Sequence, residues 1–316
     1  MILVVASYKQ DRLTKATYEL ISAARAVAGE DPVAILLLGE KLDALAAEAA
    51  RLAGQVLVAD GPAFSKFNAE TWSQAVSWVA SEGSVRLVLI AGSRSGREYS
   101  PRVAVRLNAP LLEDVVNLSL EGRTVQAQRY SFLARATETI AAEAPVIVAT
   151  LKPGVFDPAS PLDTPGEQFE VELTSTPSRV RSFDVRTEQS SRISLSDADI
   201  VVAGGRGLGS AENFERLVTP LAEALGAAVG ATRAVVDAGW RPYAEQVGQT
   251  GKTIQPKVYI ALGISGATQH VSGMNKSKLV IAINKDEDAP IFKIADYGVV
   301  GDASRIVPLL LDQLRK

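Results

Sequence analysis

His270 is the single histidine of a 316-residue chain that contains no cysteine. Those two counts exclude disulfides, cysteine-ligated clusters and zinc sites, thiol nucleophiles, and any metal site needing two histidines of this chain. Chemistry here must be borrowed from a bound cofactor, gripped by glycine turns, hydroxyls, amides and arginines. His270 closes the run Gly263-Ile264-Ser265-Gly266-Ala267-Thr268-Gln269-His270, which follows the apolar Val258-Tyr259-Ile260-Ala261-Leu262. That order reads as a strand, a glycine turn and a short helix starting near Ser265, with His270 about one turn in. No acid lies in the turn, so the amides of the helix start, with Ser265, could hold a pyrophosphate. The plainer alternative for a lone histidine is a surface or satisfied core position.

A second glycine turn, Gly204-Gly205-Arg206-Gly207-Leu208-Gly209-Ser210, follows the strand-like Asp199–Ala203 and precedes a helix from Ala211 to about Gly226. Glycines between strand and helix let a backbone approach a phosphate. The dinucleotide fingerprint is not met: Ser210 stands where Gly or Ala is required, and no acid ends a second strand ~20 residues on. Glu212 competes with any anion for the positive helix end, and Ser210 reads as an N-cap. Between the two turns lie Gly230-Ala231-Thr232-Arg233 and Gln246-Val247-Gly248-Gln249-Thr250-Gly251. The latter could donate and accept at a heterocycle edge, or be a simple β-turn. In the first half the one suggestive turn is Gly92-Ser93-Arg94-Ser95-Gly96-Arg97, either a structural turn or interface or a ligand site.

These turns need a framework of strands and helices. Residues 2–6, 33–38, 55–58 and 86–91 are short apolar strands, separated by helical patterns over 12–28, 41–53 and 69–82 and followed by one from Gly96 to Leu107. Thr124–Tyr130 and Pro145–Leu151 read as further strands. Repeated βα units imply a mostly parallel sheet covered on both faces. Residues 152–178 carry Pro153, Pro158, Pro161, Pro165 and Pro177 and read as the start of a linker reaching to about 190, with short strands at Phe169–Leu173 and Val180–Val185. The second half adds strands at Leu279–Asn284 and Ile291–Ala295 and a closing helix, Ala303–Arg315. The expectation is an α/β protein of two domains, 1–190 and 191–316, each a mostly parallel sheet flanked by helices, the second sheet smaller.

Thirty-three Lys+Arg against 36 Asp+Glu give a formal charge of -3, which speaks against nucleic acid or an anionic membrane as partner. The opening Ile2–Ala6 is strand-like, with no basic leader, and no apolar run approaches the ~20 residues that span a bilayer. A cytoplasmic protein without membrane insertion is expected.

Taken in order, Gly204–Gly207, Gly230–Arg233, Gln246–Gly251, Gly263–His270, Ala282-Ile283-Asn284-Lys285-Asp286 and Ala295-Asp296-Tyr297-Gly298 resemble the alpha subunit of electron transfer flavoprotein, densely over 198–316 and more loosely over 1–150. The resemblance implies a Rossmann-like C-terminal domain that binds FAD. It also implies an N-terminal domain packed on a homologous beta subunit that carries AMP or a second FAD. Carried over by position, Arg206 lies by the cofactor, Thr232 and Arg233 by the flavin, and Val247, Gly248, Gln249 and Thr250 along its edge, with the Thr250 hydroxyl near N5. Ser265, Gly266, Ala267, Thr268 and Gln269 belong to the pyrophosphate and ribityl region, His270 to the pyrimidine carbonyl, and Asn284 and Asp302 to the adenosine end. The implied role is an electron carrier in a heterodimer, not an enzyme. It would take electrons from acyl-CoA or related dehydrogenases, as in fatty acid β-oxidation, and deliver them to a quinone oxidoreductase. A bifurcating relative with a second FAD in the beta subunit is the alternative; an NAD-dependent enzyme of related fold is a more distant one.

The chemistry is consistent with that implication. Reduced flavin gathers negative charge on its N1–C2 carbonyl edge, where a cation or strong donor favours the reduced forms. Arg233 is permanently charged, and His270 could be charged or neutral. A charged His270 would make the potential fall as pH rises.

Overall fold

The computed structural model describes residues 1–132, 134–173, 178–180, 193–196 and 198–314. The chain divides into two compact units, Met1–Arg186 and Thr187–Lys316.

The first unit opens with β1 (Ile2–Val5), the antiparallel hairpin β2 (Tyr8–Lys9) and β3 (Arg12–Leu13), and α1 (Lys15–Ala28). The helix expected from residue 12 starts later because Arg12 and Leu13 pair back on Lys9 and Tyr8. Then come β4 (Val33–Gly39), α2 (Asp43–Ala50), β5 (Gln55–Asp60), α3 (Ala69–Glu82), β6 (Leu87–Ala91) and α4 (Arg94–Leu107). β7 (Leu111–Glu121), β8 (Thr124–Ser131), β9 (Ala136–Glu143), β10 (Ile147–Leu151) and β11 (Glu167–Glu170) complete a nine-stranded sheet, ordered β11-β5-β4-β1-β6-β10-β7-β8-β9. Alternate strand residues feed two cores. Ile2, Val4, Ile35 and Leu87 pack with Leu20 and Ile21 of α1 and Leu45 of α2; Leu3, Val5, Leu36 and Val88 pack with Trp72 and Val76 of α3 and Val103 of α4. Burial on both faces makes these strands continuous apolar runs, which is why they are legible in the sequence.

Two differences follow from weaker patterns. β7 and β9 were not expected, and the β7–β8 and β8–β9 pairs are antiparallel. β9 is exposed at most positions, so no apolar stripe marks it. The proline-rich stretch is no bare tether where it is described. Ala159, Leu162 and Gly166 donate backbone N–H groups to Tyr18, Arg51 and Ala50, and Glu167–Glu170 adds a parallel edge strand beside β5. The strand expected at Phe169–Leu173 is therefore shifted toward the N-terminus. Residues 181–185 of the strand expected at Val180–Val185 lie outside the described residues. The Gly92–Arg97 turn is used structurally: Ser93 caps α4 by accepting from the Gly96 N–H at 3.1 Å, and Arg97 pairs with Asp114 at 2.7 Å.

The second unit runs β12 (Ile200–Gly204), α5 (Ala211–Ala224), β13 (Ala228–Ala231), α6 (Arg233–Asp237), β14 (Val258–Leu262), α7 (Thr268–Val271), β15 (Leu279–Asn284), β16 (Tyr297–Val300) and α8 (Ala303–Leu314). Its five strands are all parallel, ordered β13-β12-β14-β15-β16. Phe214, Leu217, Val218 and Leu221 put the apolar stripe of α5 against one face, with Val307 of α8. Irregular segments cover the other face, bringing Val247, Ile254, Ile264, Met274 and Ile291 onto Tyr259. The strand expected at Ile291–Ala295 is instead a tight 3-10 turn, Pro290–Lys293, and the edge strand follows at Tyr297. Pro290 cannot donate to a ladder, and the Ile291 N–H is taken by the Ser265 carbonyl at 3.0 Å.

Candidate functional site

The strand order of the second unit fixes where a ligand can enter. From β12 the chain moves out to the edge strand β13, then returns to β14 on the other side of β12, so the loops after β12 and β14 leave in opposite directions. A crevice outside the carboxyl ends of these strands is the switch point at which open α/β sheets bind ligands. The two loops are glycine turns that cross there. Gly205 donates its N–H to the Leu262 carbonyl at 2.9 Å, and Gly207 to the Gly263 carbonyl at 3.0 Å. A Cβ on Gly205 would collide with the Gly263 carbonyl, and Gly263 itself has φ +59°. Ser210 accepts from the Asn213 N–H at 3.1 Å, so it is the N-cap of α5, and Glu212 keeps that helix end acidic.

Beyond these strand ends lies a cleft of about 740 Å³. Arg206, Thr232, Arg233, Val247, Gly248, Gln249, Thr250, Ser265, Ala267, Gln269, His270 and Asn284 all line it. Gly266 and Thr268 do not. Gly266 is buried with φ +88°, its Cα packed toward the backbone of Pro290 and Ile291, and Thr268 sits on the exposed start of α7. Asp302 lies in an adjoining cavity of about 230 Å³ that shares Gly207, Gly263 and Asn284 with the cleft. There it accepts from the Ser304 N–H and hydroxyl at 2.8 and 2.7 Å, and these bonds hold its carboxyl below the usual range. Asn284 spans two loops, donating to the Ile264 carbonyl at 2.9 Å and accepting from the Asp286 N–H at 3.1 Å.

The turn Gln246–Gly251 is held from three sides. The Val247 N–H bonds the Ala231 carbonyl at 3.0 Å, the Gln249 N–H bonds the Gln269 carbonyl at 2.8 Å, and the Lys252 N–H bonds the Gln246 carbonyl at 2.7 Å. Buried Gln246 donates its side-chain amide to the Thr250 hydroxyl at 2.9 Å, so the Thr250 proton remains for another acceptor. The Thr232 hydroxyl makes no cap bond to α6. Exposed Arg233 pairs with Asp237 at 3.3 Å across one turn of α6.

His270 departs from expectation. The helix it occupies starts at Thr268 rather than near Ser265, and has four residues. Its ring is buried, with Nδ1 3.0 Å from the Val247 carbonyl and Nε2 2.8 Å from the Tyr259 hydroxyl. Both nitrogens have partners within the protein, and the residue also lines the cleft. Burial pushes the ring's pKa down to about 4, although the Val247 carbonyl opposes that shift. Burial thus favours the neutral imidazole over the charged one.

Sequence reasoning also missed Gln246, Asp237 and Asp286. Gln246 lay within a recognised turn, but its inward amide shows only in three dimensions. Asp237 is four residues after Arg233, a helical spacing that could have flagged the pair.

The comparisons with known proteins fall on the same elements. Residues 2–176 match the electron transfer flavoprotein domain, and residues 194–275 match the electron transfer flavoprotein FAD-binding domain. The chain is 38% identical to electron transfer flavoprotein subunit alpha of Bacillus subtilis, covering 100% of this chain and 97% of that one. This chain belongs to the electron transfer flavoprotein alpha-subunit family. The corresponding subunit of Mycobacterium tuberculosis H37Rv is 40% identical, covering 99% and 98% of the two chains, and protein FixB of Clostridium saccharobutylicum is 39% identical, covering 99% and 96%. Alpha subunits of electron transfer flavoprotein are electron carriers rather than enzymes. Membership implies a beta-subunit partner. The FAD-binding match contains β12 to α7 and hence the cleft residues from Arg206 to His270; Asn284 and Asp302 lie past its end. No helix among the described residues is long and apolar enough to cross a membrane.

Proposed function

We propose that this alpha subunit binds FAD in the switch-point cleft and, paired with its beta subunit, carries electrons from acyl-CoA-type dehydrogenases to a quinone reductase. The observation that carries the reading is the convergence of four turns on one cleft within the region similar to an FAD-binding domain. The residues fit the cofactor. The glycines let the two turns pack backbone against backbone, and Arg206 and Ser265 line the cleft beside them, which suits a pyrophosphate. Thr232, Arg233, Gln249 and Thr250 offer hydroxyl, guanidinium and amide groups to a heterocycle edge, and Asn284 and Asp302 flank the adenosine end. FAD supplies reversible one- and two-electron chemistry when bound; the protein's part is to hold it, orient it and set its potential.

The NAD alternative lacks support: β13 ends at Ala231 and Thr232 follows it, with no acid to hold a ribose. The N-terminal domain, residues 1–190 in this reading, is the surface for a beta subunit carrying AMP or a second FAD, and residues 191–316 are the FAD domain. A cytoplasmic location goes with this role. The test is the visible spectrum of the chain co-purified with its beta subunit, followed by identification of the released small molecules. One FAD per heterodimer with AMP is expected. Two FADs would keep the carrier role and move it to bifurcation, and a colourless folded heterodimer would overturn the FAD reading.

A further inference from the structure

Thr250 lines the cleft, and both of its oxygens already accept a hydrogen bond from the segment before it. The Gln246 side-chain amide donates to its hydroxyl oxygen at 2.9 Å, and the Tyr243 hydroxyl donates to its backbone carbonyl. What Thr250 keeps for the cleft is a pair of donors. Its backbone N–H and its hydroxyl proton have no acceptor among the described residues. The two groups that grip Thr250 are held differently. Gln246 is buried, so packing fixes its amide. Tyr243 is 65% exposed, so the core does not hold its ring. The segment that carries Tyr243 is anchored instead. Arg241, two residues earlier, has a buried side chain that bonds both carboxylate oxygens of Glu245, at 2.6 and 2.8 Å, and Glu215 of α5 at 2.6 Å. Its guanidinium also lies 5.5 Å from the centre of the Phe214 ring. A planar cation shared by two carboxylates is a rigid anchor. The Gln246 N–H then returns to the Tyr243 carbonyl at 3.0 Å, which closes a tight turn at Tyr243–Glu245.

We propose that Tyr243 is a positioning residue for the flavin: from a segment pinned to α5 its hydroxyl latches the Thr250 carbonyl, so that the free N–H and O–H of Thr250 keep one direction toward the cofactor. This rests on the FAD reading of the cleft. Tyr243 is not itself a lining residue, so it acts through Thr250. The neighbouring backbone ties belong to other residues: Gln249 N–H to the Gln269 carbonyl at 2.8 Å, Gly251 N–H to the Gly248 carbonyl at 3.0 Å, and Lys252 N–H to the Gln246 carbonyl at 2.7 Å. Without the phenol, the Thr250 carbonyl has no donor from the described residues. The peptide between Thr250 and Gly251 then gains freedom to rotate, and both donors lose their aim. Because the ring is exposed, taking away its hydroxyl removes nothing from the core.

The test compares Tyr243→Phe with the parent as FAD-loaded heterodimers. FAD release should be roughly three- to tenfold faster, the scale of one supporting hydrogen bond. The flavin midpoint potential should move in the same sense as in Thr250→Ala, by less. In the double variant it should equal that of Thr250→Ala alone, because the latch works through that residue. Tyr243→Leu, which removes the ring as well, should match Tyr243→Phe. A Tyr243→Phe protein with the parent's potential overturns the proposal, even where release is faster, since loosened packing alone would do that. So does a shift that persists in full on the Thr250→Ala background, or an effect of Tyr243→Leu that Tyr243→Phe lacks. Amide exchange at Gly251 needs no cofactor and should quicken in Tyr243→Phe with the cleft empty. A heterodimer that takes up no FAD would therefore sink the cofactor reading, while parent-like exchange at Gly251 would sink the latch.

Discussion

Arg233 and Asp237 line the same cleft and pair at 3.3 Å, so the fixed cation at the expected flavin edge has a carboxylate beside it. Arg233→Ala should lower the flavin potential and Asp237→Asn should raise it, by tens of millivolts on a scale of about 59 mV per tenfold change in a one-electron equilibrium. Redox titrations of both variants that match the parent would contradict this. For His270 the sign is set by burial. Its pKa is about 4 when folded against 6.5 for the free side chain, so between those values the unfolded chain binds more protons. Stability from this residue is complete above pH 6.5 and is lost as pH falls toward about 4, by roughly 3 kcal/mol in all. Urea unfolding of parent and His270→Gln should show the parent losing more between pH 7.5 and 4.5; equal losses would count against a neutral buried ring. The sequence makes His270 visible as a candidate, yet gives no direction for its side chain. Tyr259 is eleven residues away in sequence and an ordinary apolar strand position by pattern, so the bond that decides the histidine's character could not be read.

Turns do the site's work at the scale of elements. Thr250 takes the buried Gln246 amide at 2.9 Å, so Thr250→Val should leave that donor unpaired at a cost of about 1–3 kcal/mol, whereas Thr250→Ser should keep both bond and stability. Calorimetry of the two variants separates the outcomes, and equal melting temperatures would refute the link. Gly205→Ala should weaken FAD binding along with stability, since the new Cβ meets the Gly263 carbonyl where the two turns cross. Full FAD occupancy in that variant would show that the crossing is not needed. The strands on either side of these turns are legible because they are buried on both faces: Val258–Leu262 and Leu279–Asn284 lie where the apolar runs predict. The apolar run Ile291–Ala295 misleads because burial alone does not make a strand; Pro290 and the Ser265 carbonyl divert it into a turn. β9 is hidden for the opposite reason, being a strand with little buried surface to announce it.

Across the whole molecule, each unit has its own pair of cores, so a ligand held by the second unit acts on that unit's stability first. FAD at 100 times its dissociation constant should stabilise the unit that binds it by about 2.7 kcal/mol through mass action. The alternation of strand and helix made the α/β character of both halves readable, while the cleft itself needed the strand order, which sequence spacing does not supply. Hydrogen exchange of the heterodimer with and without FAD tests the central claim most directly. The account predicts slowed exchange concentrated in the turns at 204–208, 231–234, 246–251 and 263–270. Unchanged exchange in these turns, or protection confined to the first unit, would contradict it.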